Sequence, residues 1–321
     1  MTRPFRFAAV ATAAFALFLA LASPGSAAVV PGWYSSTDLS AVVASGNSDT
    51  INVGANVNLR WQGLRDSWVN TISFARNDVR DPQRLAVISG TSAVIEKGDF
   101  IAKSEKLFAN TNYEHRVTER FFWNLGATGE RDKFAGLNSR LTGVAGIGLL
   151  WQSTSGDGFF KLGVAGTYTS QNEVVDDPQT ENQFAGVRGT ADAEKRFGSE
   201  KQHSFTSKLI VDENLQQTDD TRVNWQNALA ASISQRLALK VSVGLAYDNA
   251  PELVDLPAAV LLPGGGSRDA QAADIARVLA SGDLRVLENK LVTPAKKLDA
   301  TMAVSLVINF GPGGRASRPT P

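Results

Sequence analysis

Cysteine is absent from the 321 residues, and histidine occurs only twice, at His115 and His203. Without cysteine there is no disulfide framework, thiolate metal centre or cysteine nucleophile. Two histidines without HExxH-type spacing supply no zinc site; each reads as a solvated rim or turn residue. Charge of one sign is lacking too, with 32 basic against 32 acidic side chains. That balance excludes the electrostatic footprint of a nucleic-acid-binding protein. After the N-terminus no apolar run approaches the roughly 18 residues that a spanning helix needs. If this chain meets a membrane, it does so with strands.

What is present begins with an export segment. Arg3 and Arg6 form a basic start, Phe7–Ala22 is apolar, and Ser26-Ala27-Ala28 offers small residues for cleavage after Ala28. Residues 1–28 are expected to be removed, and the protein that remains carries 30 basic against 32 acidic side chains.

The strongest pattern lies in Ile51–Trp61. Ile51, Val53, Ala55, Val57, Leu59 and Trp61 alternate with Asn52, Gly54, Asn56, Asn58 and Arg60. A period of two is a strand with one apolar and one polar face. About 11 residues, tilted near 40°, span roughly 27 Å, the height of a bilayer's apolar band. The same design returns along the chain, for example at Phe121–Glu130, Leu141–Trp151 and Leu298–Phe310. About twelve strands are expected over 29–310, as an antiparallel up-and-down transmembrane β-barrel with both ends on one side. The links then alternate. Gln62–Asp66, Val117–Arg120 and Ser153–Gly158 are short, whereas Asn77–Phe100, Asn172–Glu181 and Asn249–Ala295 are long. Short inner turns and long outer loops are the outer-membrane arrangement.

The aromatics agree. Trp33, Trp61, Trp68, Trp123, Trp151 and Phe310 fall near the periplasmic strand ends, and Phe74, Tyr168, Phe184, Trp225 and Tyr247 near the outer ends. These are two girdles at the levels of the lipid headgroups. A soluble sandwich or lipocalin-like barrel also alternates, but its strands are shorter and its aromatics sit mid-strand.

Several motifs resemble those of a known family. They are Gly46-Asn47-Ser48-Asp49-Thr50 after Trp33, Tyr113-Glu114-His115, Arg131-Asp132 and Tyr247-Asp248-Asn249-Ala250-Pro251. Lys296-Lys297-Leu298-Asp299 and Ser305-Leu306-Val307-Ile308-Asn309-Phe310 complete the set. In this order the chain resembles the YdiY-like salt-induced outer-membrane proteins, domain of unknown function 481. The resemblance implies a barrel in the bacterial outer membrane and implies no reaction. Two departures are the insertion 252–294, where relatives have a short loop, and the Gly/Pro-rich tail 311–321, expected to be disordered.

The polar faces carry the remaining leads. Arg60, Lys106, Glu130, Arg140, Lys161, Arg188, Asp192, Lys208, Asp212, Lys240 and Asp299 are expected to line a lumen, with Glu114, Asp132, Glu194, Asp248 and Lys297. Mixed signs suit bracing cross-strand ion pairs better than a single-sign selectivity ring. The insertion is expected to hold a helix over Arg268–Ala280, capped by Ser267, that packs in or over the outer mouth through Ile275, Val278 and Leu279. Asp176-Asp177 and Asp219-Asp220 read as solvated acidic loops. The expected role is a non-catalytic outer-membrane barrel, structural or linked to envelope stress. A narrow passive pore and a soluble lipocalin-like barrel are the alternatives. No cofactor or nucleic acid is expected. Partners would be outer-membrane lipid, lipopolysaccharide and, during biogenesis, the barrel-assembly machinery.

Overall fold

The computed structural model describes residues 31–45, 50–89, 91–175, 180–198, 201–234, 236–256, 258–262, 267–278, 284–287 and 290–310. The export segment, the Gly46–Asp49 turn, the Asp176-Asp177 pair, Leu279, Ala280 and the tail 311–321 lie outside these residues.

Twelve strands form the wall. They are β1 (Gly32–Ser45), β2 (Thr50–Gln62), β3 (Asp66–Ser89), β4 (Ser92–Arg116), β5 (Phe121–Asp132), β6 (Leu137–Gln152), β7 (Gly158–Glu173), β8 (Gln183–Phe197), β9 (His203–Asn214), β10 (Thr221–Ser232), β11 (Leu237–Asp248) and, after the insertion, β17 (Leu298–Phe310). Each of the first eleven pairs antiparallel with the next, and β17 lies between β11 and β1. The sheet therefore closes and leaves no edge within the wall, which hydrocarbon requires.

Alternation decides which face meets lipid. Leu39, Val57, Ile72, Leu125, Val164 and Leu229 stand on the outer face and are exposed. Between them, Asp38, Thr142, Thr169, Gln171 and Ser305 point inward and are buried. A soluble lipocalin-like barrel turns its apolar stripe inside, where it holds a ligand. Here the apolar stripe is outside, so that alternative is corrected.

A belt of aromatics follows the short-turn end. Trp33 faces Trp61, Trp61 faces Trp68 and Trp68 faces Tyr113 in consecutive registers. Ring centroids are 6.2 Å apart for Trp33 and Trp68, 5.5 Å for Tyr113 and Trp123, and 5.7 Å for Trp151 and Phe160. Phe310, opposite Ser35, is exposed on the same outer face. Towards the long-loop end, Phe184 departs from the expected girdle. It pairs with Thr169, points inward and is buried under the Arg222 guanidinium, 5.6 Å from its ring. Its neighbours Gln183 and Ala185 take the outward positions, so one step of parity moved it.

Two expectations about the loops are corrected. The link Asn77–Phe100 is not a loop: β3 and β4 stay paired from Asp66↔His115 to Ser89↔Ser92. β2 leaves β3 at Arg76 and β5 leaves β4 at Lys106, so the hairpin rises beyond the wall. Pro82 disguises it in the sequence. At that height β3 has β4 on one side only, and an edge tolerates the missing N–H.

Among its described residues the insertion is mostly strand. It contains β12 (Leu253–Leu256), β13 (Ala258–Leu261), β14 (Ser267–Asp269), β15 (Arg285–Leu287), β16 (Lys290–Pro294) and one helical turn, α1 (Ala272–Ile275). Ser267 pairs with Leu261 instead of capping a helix. Pairing with β13 takes Arg268 and Asp269 out of the expected helix and leaves one helical turn of it, Ala272–Ile275. The cap is different too: the Gln271 N–H donates to the Asp274 carboxylate at 2.9 Å, and the Arg268 guanidinium donates to both its oxygens. These bonds, that from Arg268 first, lower the Asp274 carboxyl to about 2. A depressed carboxylate stabilises the folded form above its ordinary range and ceases to do so as pH falls through the shifted value.

β13 lies parallel to β3 on the risen hairpin, from Ala258↔Ala86 to Val260↔Ile88. Ala86, Ile88, Ala93, Leu256, Val278, Leu284 and Leu291 form a buried cluster there, with Ile275 packed against it. The insertion and the risen hairpin thus share a small core above the wall.

The orientation of the stripes can be tested by charge. Val57→Arg places a cation on the lipid face near mid-strand and is expected to cost about 2–4 kcal/mol of membrane stability. Gln226→Arg, on the inner face of β10, is expected to cost under about 1 kcal/mol. Equal losses in folding titrations with lipid vesicles would contradict this orientation.

Candidate functional site

The inner surface is built from every second residue of the wall. Asp38, Asn56 and Ser73 lie side by side on β1, β2 and β3: Ser73 Oγ donates to Asn56 Oδ1 at 2.9 Å, and Asn56 Nδ2 donates to Asp38 at 3.3 Å. Asp38 also forms an ion pair with Lys240. Asn124 and Asn112, Thr128 and Asn110, and Thr142 and Thr169 continue this polar lining at 3.0–3.2 Å. Such short cross-strand links hold neighbouring inner side chains to one another.

Towards the short turns the lumen is crossed by an ion pair. Lys161 Nζ on β7 reaches over β5 and β6 to both carboxylate oxygens of Glu114 on β4, at 3.0 and 2.8 Å. Its ammonium lies 5.0 Å from the Phe122 ring centroid. The Phe122 ring rests on Gly148, where any Cβ would come within 2.3 Å of it. Glycine is needed there because the wall must be thin where the ring lies against it. Arg60 bonds Gln62 at 3.0 Å, and Arg196 pairs with Glu194 at 2.7 Å.

Towards the long loops a second charged layer forms. Arg140 is buried and donates to Glu130 at 2.9 Å and to Gln171 at 3.0 Å. Its remaining nitrogen binds Glu252, the first residue of the insertion. Arg222 lies 2.9 Å from Asp220, 3.2 Å from Asp248 and 3.9 Å from that same Glu252. Arg188 holds Asp212 through two bonds of 2.7 and 3.0 Å, and Lys106 meets Asp132 at 3.0 Å. Leu253, next to Glu252, is buried with Val175 and Val292. One insertion carboxylate is therefore shared by arginines from β6 and β10, and the chain beside it is fixed by apolar contact.

The filling is uneven around the circumference. Inner residues of β6 and β7, among them Arg140, Thr142, Leu150, Thr169 and Gln171, are buried. On β9 and β10 the inner residues Thr206, Lys208, Asn224 and Gln226 are exposed. Lys106, also inward, keeps 57% of its side chain in reach of water. Water thus reaches the inner wall along β9 and β10 and at Lys106 on β4.

Each of the eleven charged residues expected in the lumen stands on the inward face. Arg60, Lys161 and the middle residues Asp192, Lys208 and Lys240 occupy the short-turn half or the centre. Lys106, Glu130, Arg140, Arg188, Asp212 and Asp299 occupy the long-loop half. Asp192 faces Lys208 in register. Lys297 is instead exposed before β17 and bonds Asn249 at 3.2 Å. Sequence reasoning missed Arg116, Arg196 and Arg222, although their parity marks them as inward. It also missed Glu252, for which a loop offers no parity to read. Both histidines lie at the short-turn rim. His115 Nδ1 is 2.7 Å from Asp66, and the His203 ring lies tilted against Phe197 with centroids 5.5 Å apart. Among the described residues no three His, Asp or Glu side chains are grouped to hold a metal ion.

A family model described as "Protein of unknown function, DUF481" matches residues 37–255. A search of curated proteins finds no match. Among solved structures, the NanC porin is similar at 7% identity with a TM-score of 0.45, covering 85% of this chain and 98% of that one. The anion-selective porin from Comamonas acidovorans gives 9% and 0.35, covering 88% and 99%. OmpT, an outer-membrane protein of Vibrio cholerae, gives 6% and 0.36, covering 88% and 99%.

The shared carboxylate predicts a coupling between mouth and insertion. Glu252→Gln should weaken the hold of Arg140 and Arg222 on residue 252, by about 1–3 kcal/mol, while Glu130 still partners Arg140. Trypsin should then cut the folded barrel faster at Arg268 and Arg277. Unchanged cleavage would show that Glu252 does not hold the insertion.

Proposed function

This chain belongs to the DUF481 family of proteins of unknown function, and we propose that it is a non-catalytic outer-membrane barrel with a narrow water-filled passage. The observation that carries this reading is the wetted inner wall of β9 and β10, beside the filled wall of β6 and β7. A purely structural barrel has no need of solvated Thr206, Lys208, Asn224 and Gln226 along its inside. The passage is restricted twice, by Lys161 and Glu114 near the periplasm and by the insertion over the outer mouth.

The surroundings follow from the same surfaces. Outer-membrane lipid covers the apolar stripes, and lipopolysaccharide lies beside the risen hairpin and the long loops. Phe310 closes the last strand as the residue that the assembly machinery would read. In this reading the barrel serves passage or bracing. The ion pairs across the lumen favour a second reading, a braced structural barrel serving the stressed envelope. Electrical measurement separates the two.

Refolded mature protein is expected to give small, steady single-channel currents in planar bilayers. Replacing 252–294 by a short turn should raise the conductance several-fold while the barrel still folds. Silence from both proteins would overturn the passage and leave the bracing role.

A further inference from the structure

We propose that the lumen is electrically polar along its axis, acidic at the outer mouth and basic at the periplasmic end, so that the passage rectifies current and favours small cations. This inference rests on the passage proposed above.

The strand register sets this polarity. In the long-loop half, the inward charges of the wall are four basic side chains, Lys106, Arg140, Arg188 and Arg222, against six carboxylates from Glu130 to Asp299. Asp220 and Glu252, both buried beside Arg222, raise the carboxylates to eight. In the middle, Lys240 with Asp38 and Lys208 opposite Asp192 cancel. Close to the short turns the balance reverses: Arg60, Arg116, Lys161 and Arg196 stand against Glu114 and Glu194. Over these inward wall residues together with Asp220 and Glu252, the outer half thus carries a formal −4 and the inner end +2.

Ion pairing within each layer does not remove this polarity. A pair is a local dipole, but an excess of one sign in a low-dielectric tube sets the potential along it. A cation is drawn in at the acidic mouth and meets a barrier at the basic end; an anion meets them in reverse order. Opposite charges at the two ends make the ion concentration in the lumen depend on the direction of the applied voltage, which is the condition for rectification. The net −2 makes cations the favoured carriers. Screening sets the salt dependence. The Debye length is about 10 Å at 0.1 M salt and about 3 Å at 1 M, so the asymmetry acts across the lumen in dilute salt and fades in concentrated salt.

Single-channel recordings of the full mature protein in KCl provide the test. At 0.1 M, current at one polarity should exceed that at the other by at least about twofold, and the ratio should approach one at 1 M. Under a salt gradient, the reversal potential should have the sign of cation preference. Asp220→Asn with Asp248→Asn should lower the ratio, with a steady current still present. Arg116→Gln, at the opposite end, should also lower the ratio, although it increases the net negative charge. Steady but symmetric current from the natural protein at 0.1 M would overturn the polarity and leave the passage intact. Absence of current would overturn both.

Discussion

The pairing of β1 with β17, from Ser35↔Phe310 to Ser45↔Ala300, is the contact on which the rest depends. It joins the ends of the folded chain, and without it ten or more backbone groups on each edge would face hydrocarbon without partners. Each such group costs several kcal/mol in lipid. Closure turns an amphipathic sheet into a wall with two separate solvents. Lipid takes the stripe of Leu39, Val57 and Leu229; water and polar side chains take the other.

Once closed, the interior becomes an electrostatic problem. Charged side chains cannot leave for bulk water, so they pair with whatever the register brings near. Two kinds of pairing result. Arg188 with Asp212 joins adjacent strands, whereas Lys161 with Glu114 crosses two others and narrows the lumen. The second kind needs room on the wall beneath it, and Gly148 under Phe122 provides it. The insertion exploits the same chemistry, placing Glu252 between Arg140 and Arg222 while Val278 and Ile275 pack on the risen hairpin. Charge holds one end of the insertion and apolar contact the other.

The wall was legible in the sequence because its signal is local. A period of two over ten or more residues, as in Ile51–Trp61 or Leu298–Phe310, states which residues face which way before any contact is known. Parity likewise placed Lys208, Asp212 and Asp299 inside. What the sequence concealed depends on partners distant in the chain. Asn77–Phe100 reads as a loop because Pro82 and clustered charges mask a hairpin that only its opposite strand reveals. Arg268–Ala280 has a helical pattern, yet β14 forms because β13 lies ready to pair with it. Phe184 moved from the girdle to the interior through one step of parity, and Glu252 had no pattern to betray it.

If one wall separates lipid from a wetted polar lumen, spin labels on single cysteines at positions 222 to 231 of β10, in the otherwise cysteine-free chain, should report it. A period of two is expected in lipid-embedded protein. Oxygen accessibility should peak at 223, 225, 227 and 229, and accessibility to a water-soluble nickel complex at 224, 226 and 228. A flat profile, or nickel accessibility at the odd positions, would contradict it.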